Sequence, residues 1–202
     1  MLKVFLVEDE VVMRNGIKNN IPWEQEGFEF AGEASDGELA YPLIKKEKPD
    51  ILITDIRMPF MDGLELSRLV KKELPQIKII ILSGYNEFDY AKTAINIGVT
   101  DYLLKPISSA KLLEAVKKVA DMIEKEQDNA RLIKRYEKEM EENILQEKHK
   151  LWGALASNRL STIELLEKGQ RLGIDFTASA YQVFLFKLMQ EGDSTGCSEK
   201  LN

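Results

Sequence analysis

Cysteine and histidine are almost absent from this sequence. Its 202 residues include one cysteine, Cys197, and one histidine, His149. A single cysteine cannot form an internal disulfide and has no partner ligand for a metal ion, which is typical of a protein from the reducing cytoplasm. His149 lies in a charged, helix-like stretch, and we interpret it as a solvated side chain.

Long apolar runs are also absent. No run approaches the roughly 20 apolar residues needed to span a bilayer, and acidic residues directly follow the short apolar start, where a signal peptide would have small residues. The sequence therefore predicts neither a membrane protein nor an exported one.

The net charge is -6, with acids and bases mixed along most of the chain, so any DNA-binding part would have to be local or absent.

Strand-like and helix-like segments alternate through the first part of the chain. The first, third and fourth strand candidates are nearly continuous apolar runs, which indicates burial on both faces, as in a parallel sheet covered by helices. We therefore predict a doubly wound α/β domain with five parallel strands. The strand candidates are residues 2–7, 28–34, 50–55, 77–83 and 100–104.

Chemically active side chains stand at the ends of these strands. Glu8 and Asp9 follow the first strand, Asp55 ends the third, Ser83 ends the fourth and Lys105 follows the fifth. Because the carboxyl ends of parallel strands meet at one edge of the sheet, we expect these side chains to lie close together.

Such a cluster of carboxylates needs positive charge. Two carboxylates about 4 Å apart repel each other by roughly 4 kcal/mol at an effective dielectric constant of about 20. Lys105 supplies one positive charge, and hard carboxylate oxygens suit Mg²⁺, so Glu8, Asp9 and Asp55 are predicted to form a metal site. A carboxylate in this setting can attack phosphorus and form an acyl phosphate, with metal and lysine stabilising the added charge and Ser83 donating a hydrogen bond.

Four motifs at these strand ends resemble those of a known family. They are VEDE, DIRMPFMDG, ILSGY and LLKPIS. Residues 1 to about 123 are similar to the receiver domain of two-component response regulators, which implies a flavodoxin-like fold. The resemblance implies that Asp55 is the phosphoacceptor. It also implies that Glu8, Asp9 and Asp55 hold Mg²⁺ together with the main-chain carbonyl group of Arg57.

The same resemblance assigns further roles. Ser83 and Lys105 would contact the phosphoryl group, and Tyr102 would change rotamer when Ser83 is drawn towards that group. The peptide bond between Lys105 and Pro106 would be cis. Such a protein is a regulator rather than a conventional enzyme, with at most Mg²⁺-dependent self-phosphorylation from small donors and autodephosphorylation. Its expected partner is a sensor histidine kinase.

Local sequence narrows the resemblance to a subgroup. The stretches IPWEQEGFEFAGEASDG and LSGYNEFDYAKTAINIGVTDYLLKPIS are similar to receivers that precede a long linker and an AraC-type DNA-binding domain. Regulators of that kind control transcription. We therefore expect DNA contact only through a C-terminal domain, which we expect to be absent from this sequence.

Two other functions use the same kind of carboxylate. A stand-alone receiver could act as a phosphoryl shuttle or a protein-interaction switch, but it would not need a long helix after Ile107. Phosphatases and phosphotransferases that form an aspartyl phosphate usually carry a second Asp two residues later, where this chain has Arg57.

We also expect Arg57 and Tyr85 to flank the phosphoryl site and to slow attack by water.

One long helix is predicted from Ser108 onward. Its first apolar residues should pack on the receiver sheet, and the later ones could form the seam of a parallel dimer. A single solvated helix with a ragged apolar stripe is the alternative. We predict a homodimer through this helix and a receiver face. The heptad positions hold Leu112, Val116, Val119, Ile123, Ala130, Ile133, Met140, Ile144 and Leu151, interrupted by Glu126, Glu137 and Glu147.

The remaining residues predict the beginning of a second domain. Ser161 and Glu164 have capping-box spacing, and Gly173 can end the helix that follows. A helix-turn-helix is disfavoured here because its second helix would have few basic residues. The apolar strand candidate over residues 181–190 has nothing downstream to pair with. The predicted parts are a receiver over 1–123, a helical linker over 124–151 and the start of a truncated second domain over 152–202.

Overall fold

The structure is a computed structural model that describes residues 1–84, 88–157 and 159–176, without the side chain of Phe88. Within these ranges the chain forms five strands and six helices. The strands are β1 (Leu2–Val7), β2 (Phe28–Ala34), β3 (Ile51–Asp55), β4 (Lys78–Ser83) and β5 (Asp101–Leu104). The helices are α1 (Val11–Asn20), α2 (Gly37–Glu47), α3 (Gly63–Glu73), α4 (Phe88–Ile97), α5 (Ser109–Ala156) and α6 (Thr162–Arg171).

The five strands form one parallel sheet with the order β2-β1-β3-β4-β5. This confirms the predicted doubly wound, flavodoxin-like fold. Val7 pairs with Thr54, and Asp55 pairs with Leu82. The carboxyl ends of β1, β3 and β4 therefore lie at the same edge of the sheet, as the site prediction requires.

Both faces of the sheet are buried. Along β4, Ile80 and Leu82 belong to one core cluster, whereas Ile79 and Ile81 belong to another. This alternation follows from the two-residue period of a strand, which sends successive side chains to opposite faces. Helices α1 and α5 cover the first face, and α2, α3 and α4 cover the second.

Helix α5 packs on the sheet only through its first turns. The apolar residues of its first turns are buried in the same core cluster as α1, which confirms that these heptad positions pack on the sheet. They are Leu112, Val116, Val119 and Ile123. Further along, Tyr136, Met140 and Ile144 are 59%, 64% and 44% exposed. Because these three residues are four positions apart, they share one face of the helix, which we call the α5 stripe.

Two ion pairs fix the first part of α5. Lys117 pairs with Glu26 at 2.5 Å, and Glu126 pairs with Lys78 at 2.6 Å. Glu126 interrupts the heptad pattern, and this partner at the start of β4 explains why an acid stands there.

Side-chain caps begin several helices. The Asp36 carboxylate accepts from the N–H of Leu39 at 2.9 Å and caps α2. Ser161 and Glu164 form the predicted capping box at the start of α6. α1 differs, because its N-cap residue Glu10 makes no side-chain cap hydrogen bond.

The chain divides into two units, Met1–Ile133 and Lys134–Asn202. In the second unit, the rings of Trp152 and Phe176 meet edge to face, with centroids 5.6 Å apart. α6 ends before Gly173, which has a φ of 66°, as predicted. None of the helices in the described ranges combines the length and apolar character of a membrane span.

Several sequence predictions fall on residues outside the described ranges. They concern Tyr85, Cys197 and the strand candidate over 181–190.

Candidate functional site

The loop after β3 closes tightly around Asp55. The Ile56 N–H donates to Oδ1 of Asp55 at 2.7 Å, and the Gly63 N–H donates to the Ile56 carbonyl oxygen at 2.9 Å. A Cβ atom on Gly63 would overlap the carbonyl oxygen of Asp55 and lie 2.9 Å from Oγ1 of Thr54. Only glycine fits there, because the backbone passes too close for a side chain.

Lys105 joins two of the predicted acidic residues. Its Nζ donates to Oε1 and Oε2 of Glu8 at 3.0 and 2.8 Å, and to Oδ2 of Asp55 at 2.8 Å. All three side chains are sheltered, with 14% of Lys105, 11% of Asp55 and none of Glu8 exposed. The peptide bond from Lys105 to Pro106 is cis, as the family resemblance implied.

Burial and charge act against each other in this triad. Burial raises the pKa of Glu8 above its ordinary value of 4.5, the hydrogen bond and charge of Lys105 oppose that rise, and the charge of Asp55 adds to it. Burial alone would lower the pKa of Lys105. Hydrogen bonds to Asp55 and Glu8, with the attraction of both charges, outweigh burial and raise that pKa above 10.5. Lys105 therefore stays charged at neutral pH.

Three carboxylates lie close enough to share a cation. Glu8, Asp9 and Asp55 each offer one oxygen, and these oxygens lie within 4.8 Å of one another. Hard oxygen ligands in small number fit Mg²⁺, which keeps several of its waters. Both oxygens of Glu8 contact Lys105, whereas Asp9 and Asp55 line an open cavity.

That cavity has a volume of about 180 Å³ and lies at the edge where the strands end. Its lining includes Asp9, Asp55, Arg57, Ser83, Tyr90 and Lys105. The guanidinium carbon of Arg57 lies 5.9 Å from the centroid of the Tyr90 ring, a distance suited to a cation–π contact. Sequence reasoning singled out Arg57 but not Tyr90, because only the fold brings α4 to this edge.

Ser83 and Tyr102 occupy different environments. Ser83 is 2% exposed and lines the cavity beside Lys105, whose N–H donates to the Ser83 carbonyl oxygen at 2.7 Å. Tyr102 pairs with Ile81 across β4 and β5 and packs against the core cluster on the α4 side. Its hydroxyl group is buried and has no hydrogen-bond partner among the described residues. The structure thus brings Ser83 into the site and leaves Tyr102 outside the cavity lining.

Besides Tyr90, the sequence reasoning also missed Arg14 as a functional candidate. Nη1 of Arg14 donates to the main-chain carbonyl oxygen of Glu8 at 2.6 Å. The only sequence signal is an arginine about one helical turn after the acidic residues, which is too common to single out.

A sequence model for the response regulator receiver domain matches residues 4–117. The chain belongs to this family. Its receiver domain is 42% identical to the REC domain of AraT, a response regulator from Geobacillus stearothermophilus. That match has a TM-score of 0.59 and covers 62% of this chain and 98% of the other. A two-component transcriptional regulator AraC from Clostridium phytofermentans is 32% identical, with a TM-score of 0.56 and coverage of 64% and 99%.

Among curated proteins, the receiver domain is similar to the transcriptional regulatory protein YesN of Bacillus subtilis. The two are 40% identical over 119 residues, which is 59% of this chain and 32% of YesN. The match to the Staphylococcus aureus protein HptR covers 52% of that protein. This chain thus spans about a third to a half of the length of these relatives.

Proposed function

We propose that this protein is a response regulator that accepts a phosphoryl group on Asp55 from a sensor histidine kinase. An oxygen of Asp55 would attack phosphorus and form the O–P bond while the bond from phosphorus to the kinase histidine nitrogen breaks. The observation that carries this proposal is the position of Asp55. It ends β3 beside a cavity and lies 2.8 Å from Lys105, with two further carboxylates next to it.

The acidic residues would hold the metal ion that this transfer needs. We assign Mg²⁺ to Asp9, Asp55 and Glu8, with the main-chain carbonyl group of Arg57. When bound, Mg²⁺ neutralises charge on the phosphoryl oxygens. Lys105 would move from the Asp55 carboxylate to the phosphoryl oxygens, and Ser83 would donate a hydrogen bond to the same group.

The signal would leave the site through Ser83 and Tyr102. When Ser83 turns towards the phosphoryl group, it vacates space that the Tyr102 side chain can enter. The buried Tyr102 hydroxyl group supports this step, because a buried polar group gains stability from a new partner. The face formed by α4, β5 and α5 would then change shape.

The output would be transcription control through dimerisation. The α5 stripe supports a homodimer, because a second copy could bury these exposed apolar side chains in a parallel coiled coil. Phosphorylation would alter how the two linker helices meet and thereby the spacing of attached AraC-type DNA-binding domains. Relatives described as transcriptional regulators support this output. The length of α5 argues against a stand-alone receiver, which would have no use for the stripe.

Intact-mass analysis after incubation with acetyl phosphate and Mg²⁺ tests the proposal. We expect a single phosphoryl adduct on the wild type, no adduct on Asp55→Asn, and none on the wild type without Mg²⁺. Asp121→Asn is the control, because it makes the same chemical change at an exposed position of α5. This variant should keep the adduct.

The oligomeric state is measured in the same samples by light scattering. We expect phosphorylated wild type to shift towards dimer. An adduct that persists on Asp55→Asn would refute the assigned phosphoacceptor. If the wild type carries the adduct but its molar mass by light scattering does not increase, dimerisation as the output is refuted. The protein is not expected to turn over a substrate beyond self-phosphorylation and autodephosphorylation.

A further inference from the structure

The first acidic residue of the site is held through its main chain as well as its side chain. The Glu8 N–H donates to the carbonyl oxygen of Ala34 at 3.1 Å. The Glu8 carbonyl oxygen accepts from Nη1 of Arg14 at 2.6 Å, and its carboxylate accepts from Lys105. Every polar group of Glu8 therefore has a partner. Arg14 contacts the peptide group that joins Glu8 to Asp9.

Arg14 is in turn fixed by the end of β2. Its Nε lies 3.8 Å from Oε1 of Glu33, and the two side chains are only 16% and 26% exposed. Glu33 precedes Ala34, the acceptor of the Glu8 N–H. The contacts therefore form a closed ring that runs from the end of β1 to β2, then to α1 and back to β1.

Unlike α2 and α3, α1 has no side-chain cap at its N-terminus. Its N-cap residue Glu10 makes no side-chain cap hydrogen bond, and no acidic residue lies in its first turn. The following helices α2 and α3 are both capped by aspartates, Asp36 and Asp62. Since a cap fixes the entry of a chain into a helix, the loop that carries Glu8 and Asp9 lacks this restraint. Arg14 supplies one from within the helix.

We propose that Arg14 is a positioning residue for the metal-binding loop. Its guanidinium group orients the peptide between Glu8 and Asp9 so that both carboxylates stay close to Asp55. This inference rests on the proposed function, because it gives Arg14 a part in Mg²⁺ binding at that site. Lysine would keep the charge but lacks the planar fork of N–H groups that reaches two acceptors at once.

Mg²⁺ titrations of the full chain test this role. The NMR chemical shifts of the Asp9 and Asp55 backbone amides report Mg²⁺ binding. Removing a partner behind a metal ligand typically costs about 10- to 100-fold in metal affinity. We expect Arg14→Ala to lose at least about 10-fold and Arg14→Lys to recover little of that loss. Saturating Mg²⁺ should bring phosphorylation of Arg14→Ala by acetyl phosphate close to the wild-type rate, because Asp55 and Lys105 are unchanged.

Lys18→Ala is the matched control. It removes the same charge from the same helix and also loses a pair with Glu33, at 3.3 Å, but Lys18 makes no described contact with Glu8. We expect wild-type Mg²⁺ affinity for this variant. A tenfold loss in Lys18→Ala as well would show that charge near Glu33, and not the Arg14 contact, sets the affinity, and would overturn the inference.

Other outcomes separate this inference from the proposed function. A purely structural role would lower the unfolding temperature of Arg14→Ala and leave its Mg²⁺ affinity unchanged, which overturns the inference. If Arg14→Ala does not fold, Arg14→Lys decides, and wild-type affinity in that variant likewise overturns it. Failure of the wild type itself to bind Mg²⁺ would refute the proposed function, and with it the metal-binding loop that Arg14 is said to position.

Discussion

Two regions place their side chains in opposite ways. One is the acidic pocket formed by Glu8, Asp9, Asp55 and Lys105, and the other is the part of α5 that carries the stripe. In the pocket, charged groups are buried, and the Glu8 side chain has no exposed surface. On α5, apolar groups are exposed, and Met140 keeps 64% of its surface in water. Both arrangements are unfavourable for an isolated chain, because burial penalises charge and water penalises apolar surface.

The two regions differ in how the unfavourable arrangement is relieved. The pocket contains its own counter-charge, since Lys105 contacts both Glu8 and Asp55. Among the described residues, nothing covers the α5 stripe. We conclude that the residues that relieve the charge of the pocket come from one receiver domain, whereas the stripe would be buried only in the proposed dimer.

Removing the internal counter-charge should have the largest effect. Lys105→Met leaves Glu8 and Asp55 facing each other without a cation, and breaking a buried pair in this way costs about 3–5 kcal/mol of unfolding free energy. Urea unfolding without Mg²⁺ measures the loss. Adding Mg²⁺ should restore part of it, because a divalent cation can take over the neutralisation.

A surface lysine provides the control. Lys138 pairs with Glu142 at 3.8 Å, and its side chain is 77% exposed. Lys138→Met should therefore change the unfolding free energy very little, since such pairs are screened by water. Equal losses in the two variants would mean that the Lys105 contacts do not stabilise the pocket.

Filling the tight turn should have the next largest effect. Gly63→Ala places a methyl group against the Asp55 carbonyl oxygen and Thr54, and overpacking of this kind costs about 1–3 kcal/mol. Gly16→Ala is the matched change at an open position, where the added Cβ atom would lie 3.9 Å from Nδ2 of Asn20, an ordinary van der Waals contact. Because alanine favours helix, Gly16→Ala should be neutral or stabilising. Thermal unfolding of both variants distinguishes a blocked turn from a general effect of the added methyl group.

Making the α5 stripe polar tests the other half of the comparison. Replacing Tyr136, Met140 and Ile144 together with serine should abolish any dimer at micromolar concentration and leave the receiver domain folded. The physical reason is the loss of apolar surface that association would bury. Light scattering measures the mass, and near-ultraviolet circular dichroism reports the receiver fold.

The opposite face of the same helix supplies the control for that experiment. Lys134, Lys138 and Glu142 have the same four-residue spacing, and their replacement with serine leaves the stripe intact. Dissociation caused by this second set alone would assign the interface to the charged face.

The smallest effect is expected at the ion pair that joins α5 to the start of β4. Glu126→Gln weakens an ion pair with Lys78 in which Glu126 is 64% exposed, so the loss in unfolding free energy should not exceed about 1 kcal/mol. Hydrogen exchange should nevertheless speed up in the α5 turn around residue 126. Unchanged exchange there would show that the helix is already independent of the sheet at this point.

Much of the receiver fold could be predicted because its signals are local. Continuous apolar runs predicted β1, β3 and β4, and Ser161 predicted a helix start that the structure confirms. The heptad pattern also separated the buried start of α5 from the rest. These features depend on a few neighbouring residues, so the sequence carries them directly.

The site was predictable in part. The positions of Glu8, Asp55 and Lys105 at strand ends predicted that they lie close together, because parallel strands end at one edge of the sheet. Arg14, Tyr90 and the Glu126 pair could not be predicted in the same way. Their contacts join residues from different elements, and which helix face meets which strand is decided only when the whole domain packs.

The Lys105 bridge also sets an ionic preference for the pocket. Counted formally, with -1 for each of the three carboxylates and +1 for Lys105, the site carries a charge of -2. A monovalent ion would leave that balance negative and a trivalent ion would overshoot it, while a divalent ion brings it to zero. By charge balance alone, we expect sodium and potassium to compete poorly with divalent ions for this pocket, and lanthanide ions to bind but leave an excess of positive charge.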